Sequence, residues 1–228
     1  MKNSIRNNTV QSLLYQYEHA IWKQKKLLCG VDEVGRGCLS GPIVTVAAII
    51  NPGSFHPELI DSKKTTPLLR SELFKWSIKN CSYSIGINNN HFIEAQNIYK
   101  ATQTTMLQTL YNLLYKTKTA PALILVDAMP LTLNASKFQN IEVQSIIQGE
   151  SKSASIAAAS IIAKVTRDNI MSRLHESFPV YHTNQHQGYG TDKHFAAILQ
   201  HGSSFIHRPS FFTKITKGTN DQQLSLFC

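Results

Sequence analysis

Two hydrophobic periods alternate along this chain, one near 3.6 residues and one of two, and their succession sketches a mixed α/β domain. Leu13, Leu14, Tyr17, Ile21 and Trp22 recur at helical spacing over residues 10–26, with Lys23, Lys25 and Lys26 in the last turn, where cations suit the helix dipole. Leu27–Val31 is a short apolar run that stops at Asp32 and Glu33 and breaks into Gly35-Arg36-Gly37, as a buried strand ending in a loop does. Ile43–Ile50 is rich in β-branched residues and closes on Asn51-Pro52-Gly53, so these first two strands are expected to form a hairpin. Thr66-Pro67 marks a helix start, with Leu69, Leu73 and Trp76 on one face. Cys81, Tyr83, Ile85 and Ile87 alternate as a third strand, and the spacing from His91 to about Tyr115 predicts one long helix. Ala122–Asp127 reads as an interior strand, Ile141–Ile147 as a fifth, and Ser155–Leu174 as an Ala-rich helix able to pack closely on a sheet. The fold class is therefore mixed α/β: five strands with helices between and after them, followed by a His-, Gly- and aromatic-rich region. The chain divides into an N-terminal helical extension (1–26), a main domain (27–215) and a polar, flexible tail (216–228).

Composition narrows the function classes. Apolar residues make up 42% and charged residues 16%, as in ordinary globular proteins, and no apolar stretch is long enough to span a bilayer. The N-terminus carries Lys2 and Arg6 without an apolar run and cleavage site, so no secretory signal is read and the expected location is cytoplasmic. The four cysteines are widely spread with no C-x-x-C pair, which fits reduced structural thiols. A net charge of +9 favours a polyanionic partner, since neutralised phosphates release counterions.

Chemistry gathers at strand ends in α/β sheets, and Asp32 and Asp127 each close an expected strand. If those strands are parallel neighbours, the two carboxylates converge. Glu33 follows Asp32 directly, and adjacent strand residues point to opposite faces, so it joins them only if the chain bends at the glycine loop. Hard oxygen donors without a His or Cys cluster favour Mg²⁺ or Mn²⁺, and such ions can drive phosphodiester hydrolysis. Against this stands the plain alternative that all three acids merely solvate turns.

Gly30-Val31-Asp32-Glu33-Val34-Gly35-Arg36-Gly37, with Gly41-Pro42 just after it, resembles the signature of the ribonuclease HII family. Asp61-Ser62-Lys63-Lys64, Val126-Asp127, Ser155–Asp168, Gly188-Tyr189-Gly190-Thr191 and His207-Arg208 through Ser210-Phe211 are similar to its further blocks, in order. The resemblance implies a ribonuclease H-like mixed five-stranded sheet flanked by helices, with a helical C-terminal part, and endonucleolytic cleavage of the RNA strand of RNA–DNA hybrids, including single ribonucleotides embedded in duplex DNA. It implies 5′-phosphate and 3′-hydroxyl ends. Carried over by residue, it makes Asp32, Glu33 and Asp127 metal ligands, and lays the backbone of Gly35, Arg36 and Gly37 against the 2′-hydroxyl that marks RNA. Tyr189 would stack on the sugar beside the ribonucleotide, and Lys63 and Lys64 would meet phosphates. Otherwise Tyr189 is a core aromatic and the lysines a solvated face.

One position departs from the family pattern. A fourth acid, commonly aspartate, precedes the long helix, and here the matching pair is Gly149-Glu150. Asp168 is a rival, but the two lie about 27 Å apart if the span between them is helical, so one compact site takes both only if the chain bends. Glu150 is preferred as the fourth catalytic acid. Lys164 and Arg167 face either a phosphate backbone or water, and the His182/His186 spacing, lacking a glutamate between, is a poor zinc motif. At the end of the tail, Gln223, Leu224, Leu226 and Phe227 form an apolar anchor similar to the peptide by which bacterial replication and repair proteins hold the sliding clamp. Two other functions share parts of this pattern: a DNA-junction nuclease without the 2′-hydroxyl reader, and a non-catalytic hybrid- or clamp-binding module.

Overall fold

The computed structural model describes residues 14–59 and 65–216. Its elements are α1 (Gln16–Lys23), β1 (Leu28–Val34), β2 (Ile43–Ile50), α2 (Pro67–Asn80), β3 (Cys81–Asn88), α3 (Asn90–Gln96), α4 (Ile98–Lys116), β4 (Leu123–Asp127), β5 (Glu142–Ile146), α5 (Ala154–Ser177), the single turn α6 (Thr183–His186), α7 (Asp192–His201) and α8 (Pro209–Thr216). The five strands form one sheet in the order β3-β2-β1-β4-β5. β1 pairs antiparallel with β2 as the expected hairpin, and parallel with β4, which in turn pairs parallel with β5. No helix among the described residues is long and apolar enough to cross a membrane.

The described residues form two compact units. The first holds those up to Val34 together with Val44–Gly86 and Gln103–Val165; the second holds Gly35–Ile43, Ile87–Thr102 and those from Thr166 onward. In the first unit, strand alternation sorts the sheet's two faces. Cys29 and Val31 of β1, Ala47 and Ile49 of β2, and Ile124 and Val126 of β4 pack with Met106, Leu110 and Leu113 of α4. Leu28, Leu123 and Leu125 point the other way, against Ile156 of α5 with Tyr17 and Ile21 of α1 alongside. Gly30 lies on this second face because a Cβ there would fall on the backbone of Ser155 and Ile156, so α5 approaches β1 closely. The second unit is built on Leu39, Tyr181, Ala197, Ile198, Ile206 and Phe212.

Two expectations are corrected. The helix expected from His91 to Tyr115 is broken at Asn97, which takes φ +63. Its side chain then accepts from the backbone N–H of Lys100 (3.1 Å), so Asn97 ends α3 and caps α4. β1 does not stop at Asp32 but continues through Glu33 and Val34, paired opposite Thr45 and Val44. The helix start at Thr66 is as expected, its hydroxyl accepting from Leu69 N–H (3.3 Å).

Candidate active site

The parallel register of β1 and β4 places Val31 beside Val126, so the next residues, Asp32 and Asp127, extend from neighbouring strands onto the face that α5 covers. Asp32 is buried and Asp127 half-buried. The Asp32 carboxyl is pushed well above the usual carboxylate range, chiefly by burial and then by the negative charges of Glu33 and Asp127. Two hydrogen bonds pull the other way, from the Ser160 side chain of α5 and from the Glu33 backbone N–H to Oδ1 at 2.7 Å.

Asp127 is held from β5. After Ile146, Gln148 adopts a left-handed conformation (φ +56), and Gly149–Ser151 forms a 3₁₀ turn. The Gly149 N–H donates to Asp127 Oδ1 at 2.7 Å, and a Cβ on Gly149 would sit 3.2 Å from that oxygen. Glu150, next in the chain, is buried on this turn. The bend that brings Glu150 beside the Asp127 hydrogen bond precedes α5, and Asp168 lies fourteen residues into that helix, in the second unit. The turn is fixed from behind by a residue that sequence reasoning passed over. Glu18 of α1 is fully buried, and its Oε1 accepts from Ser153 Oγ (2.7 Å) and from the Ser155 backbone N–H (2.9 Å), capping the start of α5.

Glu33 differs from the aspartates. The β1–β2 pairing is regular through Val34, so alternation starts the longer Glu33 side chain on the opposite side of β1 from Asp32, one residue before the strand ends, and its charge still acts on Asp32. Among the described residues no three His, Cys, Asp or Glu side chains stand as a finished metal-binding set. What fits a hard divalent cation is the donor chemistry: buried, all-oxygen, and mutually repelling until a positive charge arrives.

In the second unit, Gly35 (φ +103) opens a loop that runs to Pro42, with Arg36 half-buried and Gly37 exposed. Two arginines lie fully buried beneath it. Arg208 donates to the carbonyls of Gly35 (2.7 Å), Arg36 (3.3 Å) and Gly41 (2.7 and 3.1 Å). Burial lowers its guanidinium to about 10, so it keeps its charge at neutral pH. Arg167 donates to Pro42 (3.0 Å), Ser40 (3.0 Å) and Gln187 (2.7 Å). It faces neither phosphate nor water, which corrects both expectations for it. Tyr189, 40% exposed, follows Gly188, whose carbonyl accepts from the Leu39 N–H (2.8 Å). His186, His194 and His207 stack and hydrogen-bond beside this turn: His194 Nδ1 meets the Tyr189 carbonyl (2.9 Å), and its Nε2 meets His207 Nε2 (3.2 Å). His186 is engaged with the Tyr181 carbonyl and Gly188 N–H, so it makes no zinc pair with His182. Lys63, Lys64, Gln223, Leu224, Leu226 and Phe227 lie outside the described residues.

A sheet with acidic residues on parallel central strands, covered by a helix after the last strand, is the ribonuclease H-like fold, and solved structures bear this out. The chain superposes on the ribonuclease H2 of Pyrococcus horikoshii with a TM-score of 0.65 at 24% identity, over 85% of this chain and all of that one. It matches the ribonuclease HII solved in complex with PCNA from Archaeoglobus fulgidus with a TM-score of 0.62 at 24% identity, over 80% and 93%. The profile of the Ribonuclease HII family matches residues 29–214. The Ribonuclease HII of Lactobacillus gasseri is 44% identical over 199 residues, 86% of this chain and 75% of that protein. The chain belongs to the ribonuclease HII family, and is a metal-dependent endoribonuclease of the ribonuclease H type. Membership selects this activity over the junction-nuclease and non-catalytic alternatives.

Proposed function

We propose that the chain hydrolyses the RNA strand of RNA–DNA hybrids and also cuts at single ribonucleotides embedded in duplex DNA, leaving 5′-phosphate and 3′-hydroxyl ends. The observation that carries the chemistry is the buried Asp32, its ionised form disfavoured by burial and by Glu33 and Asp127. Asp32, Glu33 and Asp127 hold the divalent ion, and Glu150 serves as the fourth acid. When bound, Mg²⁺ or Mn²⁺ supplies activation of the attacking water and stabilisation of the departing 3′-oxygen. The protein's own work is positional. Gly149 N–H fixes one Asp127 oxygen, while Ser160 and Glu33 N–H orient Asp32.

Recognition belongs to Gly35, Arg36 and Gly37, whose backbone meets the 2′-hydroxyl, and to Tyr189, whose exposed ring stacks on the neighbouring sugar. Lys63 and Lys64 contact phosphates. The terminal Gln223, Leu224, Leu226 and Phe227 dock on a sliding clamp, a reading that rests on their sequence alone.

The test is a DNA duplex carrying one ribonucleotide, offered with Mg²⁺ or Mn²⁺ beside an all-DNA control. Cleavage of the ribonucleotide duplex only, abolished by Asp127→Asn, is the expected result. Cleavage of both duplexes or of neither would overturn the embedded-ribonucleotide reading, and full activity in the variant would remove Asp127 from the site.

A further inference from the structure

We propose that Arg167 is a specificity-determining positioning residue: its guanidinium sets the register between the glycine loop and the turn that carries Tyr189. This rests on the reading above, in which Gly35-Arg36-Gly37 meets the 2′-hydroxyl and Tyr189 the adjacent sugar.

The three donor atoms of the fork serve two backbone segments. Nε and Nη2 donate to Pro42 and Ser40 at the far end of the glycine loop, and Nη1 donates to Gln187, two residues before Tyr189. Among the described residues, Arg208 donates only within the glycine loop. The loop packs directly on Arg167, because a Cβ on Gly35 would strike its Nε. The two segments also abut each other. Leu39 N–H donates to the Gly188 carbonyl, and a Cβ on Gly188 would sit 2.7 Å from the Ser40 carbonyl oxygen. With so little slack between the segments, Arg167 is the side chain that sets how far the 2′-hydroxyl reader lies from the tyrosine, beside the direct Leu39–Gly188 hydrogen bond. A lysine keeps the charge but offers a single nitrogen, which cannot span three carbonyls in this geometry.

The ligand chemistry is a duplex with one ribose 2′-hydroxyl, so the readout is a ratio. Affinities for a single-ribonucleotide duplex and for the all-DNA duplex are measured by fluorescence anisotropy in chelator, where nothing is cleaved. The parent protein and Arg167→Lys are compared, each checked for cooperative unfolding, with Arg167→Gln replacing the lysine variant should that one not fold.

The expected result is unchanged affinity for all-DNA duplex and a ribonucleotide preference reduced about tenfold, roughly the loss of one well-placed hydrogen bond. An unchanged ratio, or equal loss on both duplexes, would overturn the proposal; the latter would mean that Arg167 supports the binding surface as a whole and not the ribonucleotide reader. Failure of both variants to fold would also overturn it, since the guanidinium would then carry the unit's stability. A parent protein with no preference at all would instead remove the reading of the glycine loop, and this proposal with it.

Discussion

Replacing Glu18 by alanine tests whether α1 is a working part of the catalytic unit. The side chain is fully buried, and one oxygen accepts two hydrogen bonds at the N-terminal turn of α5, from Ser153 Oγ and Ser155 N–H. Hydrogen bonds to a charged group contribute about 1.5–3 kcal/mol each, and a favourable helix-dipole contact contributes up to about 2 kcal/mol. Relief of the cost of burying a carboxylate offsets part of this, leaving a net loss of about 3 kcal/mol in Glu18→Ala. Glu18→Gln keeps the shape and one acceptor and should lose about 1–2 kcal/mol. For a chain of this size, the alanine variant should melt about 6–12 °C lower. Urea unfolding in chelator, with m-values compared, measures the change directly. Because the contact is buried, the difference should barely respond to added salt. An alanine variant within about 0.5 kcal/mol of the parent would refute the reasoning. So would a difference that disappears at high salt.

Further outcomes follow from the same geometry. Asp32→Asn should raise the melting temperature of metal-free protein, because it removes a buried charge repelled by Glu33 and Asp127, while abolishing cleavage; a lower metal-free melting temperature would contradict this. Glu150→Gln should cost about 10–100-fold in activity and Asp168→Asn little, with steady-state kinetics on a hybrid substrate as the check. His194 and His207 are held down to about 4 by burial, below their ordinary 6.5. Between those values the unfolded chain takes up protons that the folded one refuses. The stability present above pH 6.5 is therefore lost progressively as pH falls toward 4, and His207→Gln should flatten that slope in urea unfolding series. Deleting residues 223–228 should abolish clamp binding and spare cleavage of short duplexes.

The sheet was legible in the sequence because its strands are local patterns: β-branched runs at Ile43–Ile50, an apolar run into Asp127, and turn residues between them. Asp32 and Asp127 followed from those strands. Two features were hidden for opposite reasons. Asn97 breaks a helical period that is otherwise continuous, since its left-handed backbone and side-chain cap leave no mark in hydrophobic spacing. Glu18 and Arg167 look like solvated charges, because their partners, a serine hydroxyl and backbone groups, are distant in sequence and no periodic pattern announces them. The regularity of β1 through Val34 was hidden as well: the glycines had pointed to a bend at Glu33, and the pairing with β2 runs on to Val34, just before Gly35 takes φ +103.

The claim on which the rest depends is that the β1 and β4 carboxylates hold a divalent cation. Titrating Mn²⁺ into the protein without nucleic acid, by calorimetry or by the loss of the free-ion paramagnetic signal, tests it directly. Saturable binding that raises the melting temperature, and that is lost in both Asp32→Asn and Asp127→Asn, is the predicted result. Binding of the same affinity in either variant would contradict it.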